Sequence, residues 1–134
     1  MTHHWFRVSE AAALLGVSDD TVRRWAEAGK LRLVKGDNGP SLVDGKELAA
    51  LAQANAQDTA TGADGSRSSA RNRLRGIVTK VTKDTVMAQV ELQAGPFRVV
   101  SLMSREAVDE LRLEVGSLAI ASVKATTVVI DVPQ

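Results

Sequence analysis

The stretch from Val8 to Leu31 reads VSEAAALLGVSDDTVRRWAEAGKL and contains two apolar patterns with helical spacing. In the first pattern, Ser9 is a favourable N-cap residue, and Gly16 is a favourable residue to end a helix. The residues that we expect on the buried face of this helix are Ala11, Leu14 and Leu15. The first pattern therefore predicts a short helix that begins at Ser9.

The second pattern predicts a helix that is capped by Ser18 and ended by Gly29. Its buried face is expected to contain Val22, Trp25 and Ala26. Two short helices that are joined by a short turn containing glycine are typical of a helix-turn-helix. The stretch therefore predicts a compact helical unit with a polar face on its second helix.

A hairpin is predicted directly after the second helix. Apolar and basic residues alternate over 31–35, the turn 36–39 has the sequence GDNG, and residues 42–43 return. A third helix is expected from Asp44. Over residues 6–52 the sequence resembles the winged helix-turn-helix of the MerR and phage-excisionase type. The resemblance implies contact with double-stranded DNA.

The polar face of the second helix carries two adjacent arginines. Arginine is the usual donor to guanine edges and to backbone phosphates. A solvated helix face would explain the same arginines, but the helix-turn-helix arrangement favours DNA binding. The candidate DNA-contacting residues, including two on the hairpin, are Ser18, Thr21, Arg23, Arg24, Arg32 and Lys35.

Residues 53–68, QANAQDTATGADGSRS, have no large apolar side chain and predict a flexible linker. We therefore expect two domains, 1–52 and 69–134, in a two-domain α+β protein. From Arg71 onward the apolar pattern has a period of two, which predicts five short strands with Val128–Val132 as the last. One short helix capped by Ser104 completes a small β-barrel of the OB type.

The second half resembles the molbindin, or mop, domain of the transport-associated OB (TOBE) superfamily. The residues that carry the resemblance are SARNRLRGIVTKV (69–81), VMAQVEL (86–92), VVSLMSREAVDELRLEVGS (99–117) and AIASVKATTVVIDV (119–132). The resemblance implies that molybdate or tungstate binds between subunits. It also implies a hexamer for a chain with one such domain, with a dimer as the alternative.

An acid-free run from Ser66 to Lys83 carries six positive charges. A tetrahedral dianion such as molybdate needs several hydrogen-bond donors and no nearby carboxylate. This run offers such donors and contains no carboxylate. With the resemblance, the candidate oxyanion-binding residues are Ser69, Ala70, Arg71, Asn72, Ser101, Ser104, Lys124, Ala125 and Thr126. The direction in which Ser101 points depends on the strand register.

The other cations of the second half predict a solvated strand face; they are Arg73, Arg75, Lys80 and Lys83. The alternative is an OB surface that binds single-stranded nucleic acid. This alternative is weakened because Phe97 is the only aromatic residue of the second half, and single-strand binders use stacked rings.

The composition excludes several other classes of protein. The chain has 134 residues, a net charge of +1 and no cysteine, so thiolate metal sites are excluded and a reducing cytoplasm is compatible. No apolar run approaches the roughly 20 residues of a membrane span. The only histidines, His3 and His4, are expected to be a solvated pair rather than a metal site. Because no nucleophile–base pair stands out, we expect no enzymatic activity.

These observations predict a cytoplasmic, molybdate-responsive transcriptional regulator of molybdenum uptake or cofactor genes. The alternative is a molybdate or tungstate store in which the helical half serves assembly. The last predicted strand is rich in β-branched residues and is unfavourable on an exposed edge, so we expect it to be exchanged between neighbouring subunits.

Overall fold

The computed structural model describes residues 4–36, 39–56 and 67–134, in two compact units that comprise residues 1–57 and 58–134. We call them the N-terminal unit and the C-terminal unit. Most of the predicted linker lies outside the described residues. None of the described helices has the length and apolar composition of a bilayer-spanning segment.

The N-terminal unit combines three helices with a small antiparallel sheet in the order β1-β3-β2. Its elements are β1 (Trp5–Arg7), α1 (Val8–Leu15), α2 (Asp19–Glu27), β2 (Leu33–Lys35), β3 (Ser41–Asp44) and α3 (Gly45–Asn55). The predicted hairpin is present as β2 and β3. The sequence does not predict strand β1, and α3 extends three residues beyond residue 52, the end of the predicted first domain.

Helix α1 begins one residue before the predicted Ser9 cap, so that prediction is wrong. The chain leaves β1 at Arg7, whose backbone N–H donates to the Glu10 carboxylate at 3.0 Å, and the helix starts at Val8. The buried face shifts accordingly to Val8, Ala11, Ala12 and Leu15. Leu14, which was expected to be buried, is 60% exposed. Pairing of β1 with β3 decides that α1 begins at Val8, and the apolar pattern of the helix alone does not predict this pairing.

The other helix ends follow the predicted capping residues. Ser18 accepts a hydrogen bond from the Thr21 backbone N–H at 3.1 Å, and Asp44 accepts one from Lys46 at 3.4 Å. Gly16 has a φ of 68°, a left-handed conformation that suits glycine at a helix end. Val22 is fully buried, in a core that also includes Val43.

The C-terminal unit is a curled, OB-like antiparallel sheet in the order β6-β5-β4-β7, with one helix packed against it. Its elements are β4 (Asn72–Lys83), β5 (Met87–Ala94), β6 (Phe97–Ser104), α4 (Arg105–Leu111), β7 (Leu118–Val123) and a 3₁₀ turn (Ala125–Thr127). Its core contains Val78, Ala88, Val90 and Val108. Ser104 caps α4 as predicted, because its hydroxyl accepts the Ala107 N–H at 3.1 Å.

The fifth predicted strand, Val128–Val132, does not form within the chain. The 3₁₀ turn separates this segment from β7, and Val129, Ile130 and Val132 are 78%, 83% and 85% exposed. The strands β6 and β7 are therefore both edges of the sheet. We call residues 128–134 the C-terminal tail.

An ion pair between a buried carboxylate and an exposed guanidinium joins β5 to β6. Glu91 is 8% exposed, and its carboxylate accepts a hydrogen bond from the Arg98 Nε at 2.7 Å. This bond holds the pKa of Glu91 below its usual value. A lowered folded-state pKa means that the contribution to stability is present above the unfolded-state pKa and is lost as the pH falls through the folded-state value. The pair therefore stabilises the C-terminal unit at neutral pH.

Candidate functional sites

The two most distinctive motifs of the C-terminal unit meet at one end of the β4–β7 pair. Asn72, in the SARN motif, is in register with Val123, in the VKAT motif. The Asn72 side-chain amide donates to the Val123 carbonyl oxygen at 3.1 Å, across 51 residues of sequence. Residues 69–72 and 124–126 consequently lie close together, and we call this region the β4–β7 junction.

The β4–β7 junction presents both cations and hydrogen-bond donors. Arg71 and Lys124 are exposed, whereas Ala70 is buried and donates its N–H to the Ser68 hydroxyl at 3.0 Å. In the 3₁₀ turn, the Lys124 carbonyl accepts the Thr127 N–H at 3.0 Å and the Thr127 hydroxyl at 2.8 Å. The preceding N–H groups, those of Ala125 and Thr126, have no partner within such a turn.

The electrostatics of the junction favour an anion. Strand β7 belongs to a second acid-free stretch, residues 115–130. Its partner β4 belongs to the acid-free run 66–83, so the two stretches lie side by side. An anion at this end of the pair would meet cations without a neighbouring carboxylate from either strand. The first acid-free stretch stands out in the sequence because it is rich in cations, whereas the second becomes relevant only because the two strands pair.

The remaining two oxyanion candidates lie on β6, at the opposite edge of the sheet order. Ser101 is in register with the buried Val90 and is half-buried, so it points to the inner face. Ser104 ends β6, and its hydroxyl is engaged in capping α4. Within the sheet of one chain, β5 and β4 separate these serines from β7.

The curled sheet leaves an apolar groove of about 560 Å³ between its two edges. Ser101 lines the groove from β6, and Ser122 and Val123 line it from β7. The other lining residues are apolar: Val78, Val90, Leu92, Val99, Val100, Met103, Leu111, Leu113, Leu118, Ala119, Ile120 and Ala121. Ser101 of β6 and the end of β7 that precedes Lys124 therefore line the same groove.

The candidate DNA-contacting face is centred on α2. Val22 is buried and Trp25 is half-buried, whereas Arg23 and Arg24 are exposed. The Thr21 hydroxyl lies 2.9 Å from the Ser18 hydroxyl and accepts from an Arg24 guanidinium nitrogen at 3.4 Å. The start of α2 therefore presents a polar, cationic surface to solvent.

The two candidates on the hairpin differ in their surroundings. Arg32 forms an ion pair with Glu47 of α3 at 3.2 Å, and this hydrogen bond raises the pKa of the Arg32 guanidinium. Part of its charge is thus neutralised within the unit. Lys35 ends β2 and is exposed. Asp37 and Asn38 of the predicted turn lie outside the described residues.

Comparison with known proteins assigns a family to each unit. Residues 5–56 match a helix-turn-helix domain family, and residues 68–130 match the TOBE domain family. A probable molybdenum-pterin-binding protein of Haemophilus influenzae is 45% identical over 65 residues, which cover 48% of this chain and 94% of that protein. The chain belongs to the molybdenum-pterin-binding (Mop) protein family. Molybdenum-pterin-binding protein 2 of Clostridium pasteurianum is 41% identical over 63 residues, covering 46% of this chain and 93% of that protein.

A solved structure of a molybdate-binding protein also matches this chain, and we now call the C-terminal unit the Mop unit. The cytoplasmic molybdate-binding protein ModG, in a form with molybdate bound, is 39% identical with a TM-score of 0.50. The match covers 55% of this chain and 52% of ModG. The TOBE match, 68–130, includes both motifs of the β4–β7 junction.

Proposed function

We propose that this Mop protein is a DNA-binding transcriptional regulator that responds to molybdate or tungstate and controls genes of molybdenum uptake or cofactor synthesis. The observation that carries the proposal is the presence of both units in one chain: a helix-turn-helix unit with exposed arginines on α2 and a complete Mop unit. A binding protein of this kind needs no catalytic residues. It acts in the cytoplasm, where DNA and the imported oxyanion are both present.

The proposed oxyanion site is centred on the β4–β7 junction. Arg71 and Lys124 provide positive charge, while Ser69, Asn72 and the N–H groups of residues 125 and 126 provide hydrogen bonds. Ala70 contributes by position, since its own N–H donates to the Ser68 hydroxyl. Charge-assisted hydrogen bonds contribute roughly 1.5–3 kcal/mol each. About five such bonds offset the loss of ligand freedom on binding and give a micromolar affinity, which corresponds to about −8 kcal/mol.

The proposed site is completed by a neighbouring subunit. The resemblance to mop domains implies sites between subunits, and both edge strands of the sheet, β6 with Ser101 and Ser104 and β7 with the junction, are open to a second copy. The exposed C-terminal tail and the apolar groove support strand exchange between copies. A hexamer is the proposed assembly, and a dimer is its alternative.

Charge removal at the junction tests the oxyanion site. Lys124→Ala should weaken molybdate binding at least tenfold, about 1.4 kcal/mol, because a dianion would lose one of its cations. Isothermal titration calorimetry on the full chain measures this change. Lys80→Ala is the matched control: it removes the same charge from β4, about 26 Å along the strand from Asn72, at roughly 3.3 Å per residue. Equal affinities for wild type and Lys124→Ala would remove Lys124 from the site.

Selection of DNA separates the regulator from the molybdate store. The full chain should enrich a defined sequence from randomised duplexes, and molybdate should change the affinity for it. Arg24→Ala should weaken binding to the selected duplex by about 1–3 kcal/mol, with unchanged molybdate affinity. Lys46→Ala on α3 controls for loss of charge. A protein that binds molybdate but enriches no duplex would be a store.

A further inference from the structure

Three cations from separate elements line one cleft in the N-terminal unit. Arg7 ends β1, Arg23 lies on α2, and Lys35 ends β2. The cleft has a volume of about 450 Å³, and the hydroxyl-bearing residues Ser9 and Ser41 also line it. Arg7 is distant from the other two in sequence, and nothing in the local pattern around it suggests a binding role.

The charge of this cleft is positive. Among its lining residues that the structure describes, three cations stand against one carboxylate, Asp19, and the Glu10 carboxylate lies beside the Arg7 backbone. Within residues 4–36, 39–56 and 67–134, neither Arg7, Arg23 nor Lys35 takes part in an ion pair. Arg32, on the same hairpin as Lys35, contrasts with them because Glu47 neutralises it at 3.2 Å. Three solvated cations on one concave surface repel one another unless an anion lies between them.

The strand register places the two strand cations at the same end of the small sheet. Arg7 ends β1 opposite Leu42, and Lys35 ends β2 opposite Ser41. Because Ser41 and Leu42 lie on opposite faces of β3, the two cations reach the cleft from the end of the sheet and not from one of its faces. Strands lie about 4.8 Å apart, which places the backbones of Arg7 and Lys35 roughly 10 Å from each other. Arg23 reaches the same cleft from α2, whose start carries the candidate base-reading residues. A helix that enters the major groove has the DNA backbone directly beside it.

We propose that this cleft binds a backbone phosphate of double-stranded DNA, and that Arg7 is a phosphate-binding residue that holds α2 and the hairpin on the same DNA strand. The inference rests on the proposed DNA-binding function. Ser9 and Ser41 supply neutral donors to the same phosphate. The contact is independent of base sequence, so it positions the protein rather than selecting the operator.

The test uses the full chain and a labelled duplex of random sequence, with binding measured by fluorescence anisotropy over a range of salt concentrations. Arg7→Gln should weaken binding about fivefold and reduce the slope of log K against log salt by about one. Lys46→Gln on α3, an exposed cation outside the cleft, should leave the slope unchanged. Lys35→Gln should reproduce the effect of Arg7→Gln, and the double variant should deviate from the product of the single effects because both residues contact one phosphate.

The outcomes separate this cleft from the proposed function as a whole. Duplex binding in which Arg7→Gln and Lys35→Gln both keep the wild-type slope would overturn the cleft and leave the regulator intact. Absence of duplex binding by the wild-type chain would overturn both. Millimolar inorganic phosphate at constant ionic strength should reduce the difference between wild type and Arg7→Gln, because it competes with the DNA phosphate for the cleft. Circular dichroism of each variant verifies that the unit remains folded.

Discussion

Deletion of residues 128–134 should reduce the assembled protein to monomers and abolish tight molybdate binding. The tail is rich in β-branched residues, lies exposed after the 3₁₀ turn, and has no strand partner among the residues that the structure describes. The groove between β6 and β7 is apolar and bordered by edge strands, which readily accept another strand. Light scattering should give a multiple of 14.3 kDa for the wild-type chain and about one chain for the deletion variant.

Point variants in the tail make the same test without shortening the chain. In an added strand, Val128, Ile130 and Val132 share one face, and Asp131 lies on the other. The face without a charge is the one to bury, and each full burial contributes about 1.5–3 kcal/mol. Ile130→Ser should therefore weaken the assembly more than the matched variant Val129→Ser does. Its assembly should dissociate at a higher protein concentration. A deletion variant that keeps the wild-type number of subunits and the wild-type molybdate affinity would contradict strand exchange and the shared site together.

Gly76→Ala should destabilise the C-terminal unit by more than about 2 kcal/mol. A Cβ at Gly76 would overlap the carbonyl oxygen of Gln93 and would lie 2.8 Å from its carbonyl carbon. These are backbone atoms of β5, the neighbouring strand, so the strands would have to separate. Gly76 is also in register with Ala119 of β7, and the disturbance would therefore reach both partners of β4.

The two units allow this effect to be located by spectroscopy. Both tryptophans, Trp5 and Trp25, belong to the N-terminal unit, so their fluorescence does not report on the sheet of the C-terminal unit. Gly76→Ala should lower the urea midpoint followed by circular dichroism and leave the fluorescence midpoint unchanged. Gly36→Ala is the control, since its added methyl group meets nothing within 4 Å. Equal circular dichroism midpoints for Gly76→Ala and wild type would contradict the close approach of β4 and β5.

The elements that the sequence predicts correctly are those whose deciding interactions join residues a few positions apart. The caps at Ser18, Asp44 and Ser104 are bonds to backbone groups two or three residues away. The glycine end of α1 and the hairpin β2–β3 are equally local. The prediction at Ser9 is wrong, because the start of α1 depends on pairing of β1 with β3, residues 42–44.

Local sequence patterns suffice to predict the two families, most helices and strands of the two units, and candidate residues for binding an oxyanion or DNA. Which of these residues meet depends on the tertiary structure. Pairing of Asn72 with Val123 brings two acid-free stretches together, and pairing within the small sheet brings Arg7 near Lys35. The position of the tail outside the sheet also depends on strand pairing. A strand forms only where a partner supplies its hydrogen bonds, and propensity within the segment does not reveal whether that partner lies in the same chain.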